Sequence, residues 1–248
     1  VYSLNIDFGN NFNTASLVNT FHMFSNTALN TTYFNLNLGN NFNTINVNNT
    51  YGMFDNMARN STYVNINLGD KFYMDNVRNM SYMFDFCASL TSIDLSNFDT
   101  NNVVDFSFMF CDCMMLKELN IRSFRTPKAI YMDRMFSGNG LLAEIDVGNF
   151  DTSNVKNISG MFFACTKLKE IRVSNFKTDK VLDMSSLFDY VLSLTSLDLS
   201  GFNTNNVEKM SYMFQNCSKL ISLNLSNFLI PKVTELDYIF SYNENLIS

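Results

Sequence analysis

The chain has 248 residues, 46% of them hydrophobic, with 25 phenylalanines, 15 methionines and no tryptophan. That much apolar material excludes a solvated, disordered polypeptide despite the crowding of asparagine. A net charge of −6 offers no basic field for nucleic acid or an anionic membrane surface, and no apolar run reaches the ~18 residues that a membrane-spanning helix needs. No charged segment followed by an apolar stretch opens the chain, so no signal peptide is read there.

Taken in order, the chain repeats itself. One phenylalanine series runs Phe12, Phe42, Phe72, Phe98, Phe124, Phe150, Phe176, Phe202 and Phe228. A second follows it by 12 residues each time, from Phe24, Phe54 and Phe84 through Phe110, Phe136, Phe162, Phe188 and Phe214 to Phe240. The steps are 30, 30 and then 26 throughout, which defines nine units. Threonine stands two residues after the first Phe in seven of the nine units. Ahead of the first Phe, the later units read L-x-x-L-x-L, as in Leu90, Ile93 and Leu95, and the x-L-x-L part alternates with the period of a short strand. Ser or Asp one or two residues before the M-F pair suits a helix N-cap, so a single helical or 3₁₀ turn is expected through residues such as Tyr82 to Cys87.

These units predict an α/β repeat solenoid of nine coils, each a short parallel strand plus a short helical or 3₁₀ turn. One unit cannot bury its own Phe, Met and Leu side chains, whereas stacking units ~4.8 Å apart pairs their strands and piles their rings into two ladders. Residues 1–248 form a single solenoid, with longer 30-residue repeats over 1–71 and 26-residue repeats over 72–248. Val1 enters in the middle of a repeat and Ser248 leaves just after another has begun, so a segment of a longer chain is expected.

The order F-x-x-C-x-x-L-x-x-L-x-L resembles the Treponema-type, BspA-like class of leucine-rich repeats. The fuller forms DLSNFDTNNVVDFSFMF (Asp94 to Phe110) and DLSGFNTNNVEKMSYMF (Asp198 to Phe214) resemble the 26-residue repeat of bacterial surface proteins found in mycoplasmal lipoproteins and Gram-positive surface proteins. The resemblance implies a surface-exposed or secreted protein with a role in adhesion or host interaction, and names no ligand. Related repeats in large DNA viruses make a structural component of a cell envelope or virion the alternative, packing through the solenoid sides with copies of itself or with other structural proteins.

Catalytic chemistry is not legible, and no enzyme, cofactor or metal site is expected. Four of the five cysteines, Cys87, Cys113, Cys165 and Cys217, sit three residues after the second Phe, where a small side chain packs under the turn. Cys87 and Cys113 lie on adjacent coils at a stacking distance compatible with a disulfide. Ligands two coils apart cannot converge on one metal ion. His22, the single histidine, has no recurring carboxylate nearby to orient it and is expected on a surface or turn. Asp94, Asp146 and Asp198 alternate along the strand face with Asn120, Arg172 and Asn224, a regular ladder that offers no asymmetric acid–base pair.

The outward strand positions are the candidate binding surface. Lys117, Glu118, Asn120 and Arg122 continue into Glu144 and Asp146, then into Lys169, Glu170 and Arg172, a mixed-charge patch across three successive coils. Variation at exposed sites on a fixed scaffold is what recognition of a protein or glycan partner requires, and an unselected surface has the same look. Sequons for N-glycosylation at Asn30, Asn48, Asn60, Asn79, Asn157, Asn216 and Asn224 are discounted in a chain so rich in Asn, Ser and Thr.

Overall fold

The computed structural model describes residues 2–247 and is a solenoid of stacked coils joined by parallel pairing. Three strands, β1 (Ser3–Asp7), β2 (Tyr33–Asn37) and β3 (Tyr63–Asn67), form one parallel sheet in the order β1-β2-β3, and β4 (Ser92–Asp94) pairs with β5 (Glu118–Asn120) in a second. On the opposite side a ladder of single parallel bridges runs Asn19, Asn49, Asn79, Asp105, Tyr131, Asn157, Asp183, Lys209 and Glu235. Each of these residues stands five ahead of the second Phe, so the bridge ladder keeps the repeat frame.

The asparagines of the first coils have a structural job. An amide carries both a donor and an acceptor, so identical amides in register bond one another indefinitely. Asn35 Nδ2 donates to Asn5 Oδ1 at 2.5 Å and Asn65 Nδ2 to Asn35 Oδ1 at 2.6 Å. A parallel row joins Asn37 to Asp7 and Asn67 to Asn37, both at 3.0 Å.

The core is the two Phe series. Rings of the second stack without a break from Phe24 to Phe240 at centroid spacings of 5.1 to 6.0 Å. Threonines two after the first Phe are buried and act as rungs: Thr100 Oγ1 donates to the Arg125 carbonyl at 2.7 Å and Thr126 Oγ1 to that of Asp151 at 2.9 Å. A buried hydroxyl left unpaired would cost stability, so the threonine-bearing coils are tied to the next at this position.

The helical or 3₁₀ turn expected through Tyr82 to Cys87 is replaced by a run of reverse turns, and no helix occurs among the described residues. Alternate amides face opposite ways. Tyr82, Phe84 and Phe86 N–H donate to Ser107, Met109 and Cys111 of the next coil at 2.8 to 2.9 Å. Met83, Asp85 and Cys87 N–H donate three residues back, at 3.1 to 3.3 Å. Tyr82 and Phe86 adopt left-handed φ of 59° and 52°, which a helix forbids and a type II turn requires. The same pair of left-handed residues recurs at Phe108 and Asp112, Ser186 and Tyr190, and Tyr212 and Asn216.

Strand pairing was expected in every coil, and it stops after β5 among the described residues. The segments that follow, such as 142–147 and 168–173, keep the alternation of buried and exposed side chains without ladder bonds. The first Phe series stacks at 5.8 to 6.5 Å, and no stacked pair among the described residues joins Phe124 to Phe150 or Phe150 to Phe176. On the turn side the bridge ladder runs on to Glu235, while the strand side of these later coils carries no ladder bonds. Side-chain amides take over there, with Asn149 Nδ2 donating to the Arg122 carbonyl and Asn175 Nδ2 to that of Gly148 at 3.2 and 3.1 Å.

Candidate functional site on the strand face

Two adjoining clefts lie on the strand face. The second, of about 560 Å³, is lined by Arg122, Glu144, Asp146, Lys169, Glu170 and Arg172. These side chains gather because alternate residues of each unit face outward, while Ile145 and Ile171 between them are buried. Arg172 Nε bonds Glu170 Oε1 at 2.9 Å with both side chains largely in water, so the pair orients charge without locking it. Glu118, Asn120 and Arg122 line the first cleft, of about 690 Å³, and Arg122 stands on the boundary of both. Lys117 is exposed and lines neither. Eight of the nine residues expected as one patch thus divide between two concavities, with Arg122 shared.

Two strand-face carboxylates, Asp94 and Asp198, favour the ionised form. Ser96 bonds Asp94, its backbone N–H at 2.9 Å from Oδ1, and holds that carboxyl below the usual carboxylate range; Ser200 does the same for Asp198. A carboxylate stabilised in its charged form is a poor general acid.

Cys87 and Cys113 are free, buried thiols, as are the other three cysteines. Cys87 donates to the Phe54 carbonyl at 3.1 Å and Cys113 to that of Phe84 at 3.0 Å, each one coil back. Asn139 serves the same position, its Nδ2 donating to the Phe110 carbonyl at 2.7 Å. The recurring cysteine is therefore a small buried donor. No cluster of His, Cys, Asp and Glu suited to a metal ion occurs among the described residues.

One set of titratable groups escaped sequence reasoning. His22 Nδ1 lies 3.7 Å from Asp55 Oδ2, to which Ser25 Oγ also donates at 3.2 Å. Asp85, in the next coil at the same repeat position, is buried; desolvation and the neighbouring Asp55 charge push its pKa up to about 7. Burial likewise raises Asp55. In a nucleophilic triad the imidazole sits between hydroxyl and carboxylate; here the serine bonds the carboxylate directly, so no proton relay is assembled. The signal for this neighbourhood was Gly52, whose absent side chain leaves room for the His22 ring: a Cβ there would come within 2.5 Å of it.

Residues 2–68, 56–145 and 138–247 match the family described as Mycoplasma protein of unknown function, DUF285. The chain belongs to this family. Neither a curated protein nor a solved structure matches it. The three matched stretches together span the repeats. No helix of the described residues is long and apolar enough to cross a membrane.

Proposed function

We propose that this family member is a non-catalytic interaction protein, displayed at a cell surface or secreted, that binds a macromolecule or glycan through the strand face of a nine-coil, leucine-rich-repeat-like solenoid. The observation that carries this reading is the cleft of about 560 Å³ lined by Arg122, Glu144, Asp146, Lys169, Glu170 and Arg172. It is concave, charged with both signs, and built from side chains that the core does not use. Replacing them leaves the Phe ladders intact, so a family can vary this surface on a constant scaffold.

The test is an array of extracellular-matrix proteins and glycans probed with the purified chain and with the double variant Lys169→Glu/Arg172→Glu. Binding by the native chain that drops tenfold or more in the variant, with an unchanged melting curve, supports the reading. Binding that the variant retains in full counts against it. Self-assembly of the native chain into ordered particles, with no array signal, favours the alternative of an envelope or virion component.

A further inference from the structure

The first cleft has a different origin from the second. It lies where the 30-residue units give way to 26-residue units. Among the described residues β3 pairs with β2 but not with β4, although the bridge Asn79↔Asp105 still holds these two coils together on the turn side. The turn after each long strand carries a left-handed glycine, Gly9, Gly39 and Gly69, so closely stacked that a Cβ on Gly69 would come within 2.2 Å of the Gly39 carbonyl oxygen. In the next coil that turn is one residue shorter and reads Ser96-Asn97. The mismatch splits the sheet.

Three groups are left without their usual partners at this split. The amide ladder Asn5–Asn35–Asn65 ends at Asn65, whose Oδ1 receives no donor among the described residues. Asn97 occupies the position from which Asn149, Asn175 and Asn227 donate to the preceding coil, and it makes no such bond; it lines the cleft instead. Tyr63, 51% exposed, stacks one ring face on Tyr33 at 4.7 Å and 7°. The loop before β4 is three residues shorter than that before β3, so the other face of Tyr63, on the β4 side, has no ring to cover it.

We propose that this split is a carbohydrate subsite that takes a neutral oligosaccharide, with one sugar ring lying on the open face of Tyr63, which stands beside the cleft two residues before Asn65 on the same face of β3, and the following sugars bonded through their hydroxyls to Asn65, Asn97, Asp94 and Glu118. The proposal rests on the strand face being the interaction surface. A pyranose has apolar C–H faces that suit an aromatic ring and an edge of hydroxyls that both donate and accept. Amides and carboxylates match that edge, and the volume of about 690 Å³ falls in the range of small-molecule sites. Asp94 and Glu118 against the single Arg122 leave the lining one charge negative, which selects against sulfated or sialylated chains.

The test is saturation-transfer NMR and calorimetry on the intact chain with chitotetraose, maltotetraose, laminaritetraose and a heparin tetrasaccharide. At least one neutral tetrasaccharide binds, the heparin fragment does not, and Tyr63→Ala weakens the neutral ligand roughly tenfold. Tyr63→Phe restores affinity, which separates ring stacking from a folding defect. Lys169→Glu/Arg172→Glu, which alters only the other cleft, leaves this affinity unchanged. Neutral-sugar binding that Tyr63→Ala does not weaken, heparin binding in preference to neutral sugars, or no sugar binding at all overturns the subsite. Loss of array binding in the Lys169/Arg172 variant would still support the broader reading in any of those cases.

Discussion

The thiol of Cys113 donates to the main-chain carbonyl oxygen of Phe84, 3.0 Å away in the preceding coil. Cys87, Cys165 and Cys217 make the same bond to Phe54, Phe136 and Phe188, each at 3.1 Å. Burial pushes the Cys165 and Cys217 thiols up to about 12 and raises Cys87 and Cys113 as well. A thiol that neither ionises nor meets solvent is unreactive. Native protein at pH 8 therefore resists Ellman's reagent, and the five thiols react together only once the chain is unfolded. Fast labelling of the native chain would refute the buried-donor role.

Stability should fall as pH rises from about 4 to about 7. Asp85 has a folded pKa raised to about 7 against an ordinary value of 3.8, and Asp189 is raised to about 6 for the same main reason, desolvation. Between the two values the folded state holds a proton that the unfolded state has lost. The stabilisation is complete below the unfolded value and disappears as pH climbs through the folded one. Asp85→Asn removes the larger part of the effect, raises stability at pH 8 by on the order of 2 kcal/mol, and leaves the shallower dependence that comes from Asp189. Urea midpoints at pH 4.5, 6 and 8 measure it.

Ser186→Gly distinguishes a turn from a helix by the sign of its effect. Ser186 has φ of 55°, and Gly160 holds the equivalent position one coil earlier with φ of 60°. Glycine relieves a left-handed residue by roughly 1 kcal/mol, whereas it costs about 1 kcal/mol within a helix. A raised melting temperature is expected.

The Phe ladders predict an order of core substitutions. Phe136 lies between Phe110 and Phe162 at 6.0 and 5.9 Å and has no exposed surface. Phe150 is almost as buried, but the ring packed on it is Phe136, tilted at 6.5 Å. Both alanine variants should lose about 3 to 5 kcal/mol, Phe136→Ala more than Phe150→Ala. Chemical denaturation curves for the two variants test the order.

The parts legible in the sequence were those that do not depend on local backbone conformation. Phe98 and Phe110 recur at fixed steps, and identical residues at identical positions of a stacked unit meet whatever the turn between them. The turn itself was hidden, because aromatic residues such as Tyr82 and Phe86 carry no left-handed preference of their own. Its signals were glycine at the two positions in scattered units, Gly52 and Gly160 at one and Gly138 at the other, and Asn26, Asn56, Asp112 and Asn216 at the second, residue types that tolerate the left-handed region. The approach of His22 to Asp55 spans two coils and depends on that turn, so it could not be read first. Strand alternation at Glu144, Asp146, Lys169 and Arg172 correctly placed these side chains outward. The clefts lie where strand pairing is interrupted, a property of how neighbouring coils meet that no single residue encodes.

The central claim, that interaction belongs to the strand face, is tested most directly by charge reversal on two opposite faces. Arg122→Glu/Arg172→Glu alters the strand-face clefts, while Arg134→Glu alters the turn face, where Arg134 lies 5.9 Å from the Phe108 ring and 5.6 Å from that of Phe163. Titrated against the tightest array ligand by surface plasmon resonance, the strand-face variant should bind at least tenfold more weakly and Arg134→Glu should match the native chain. Loss of binding in Arg134→Glu, with full affinity kept in the strand-face variant, would contradict it.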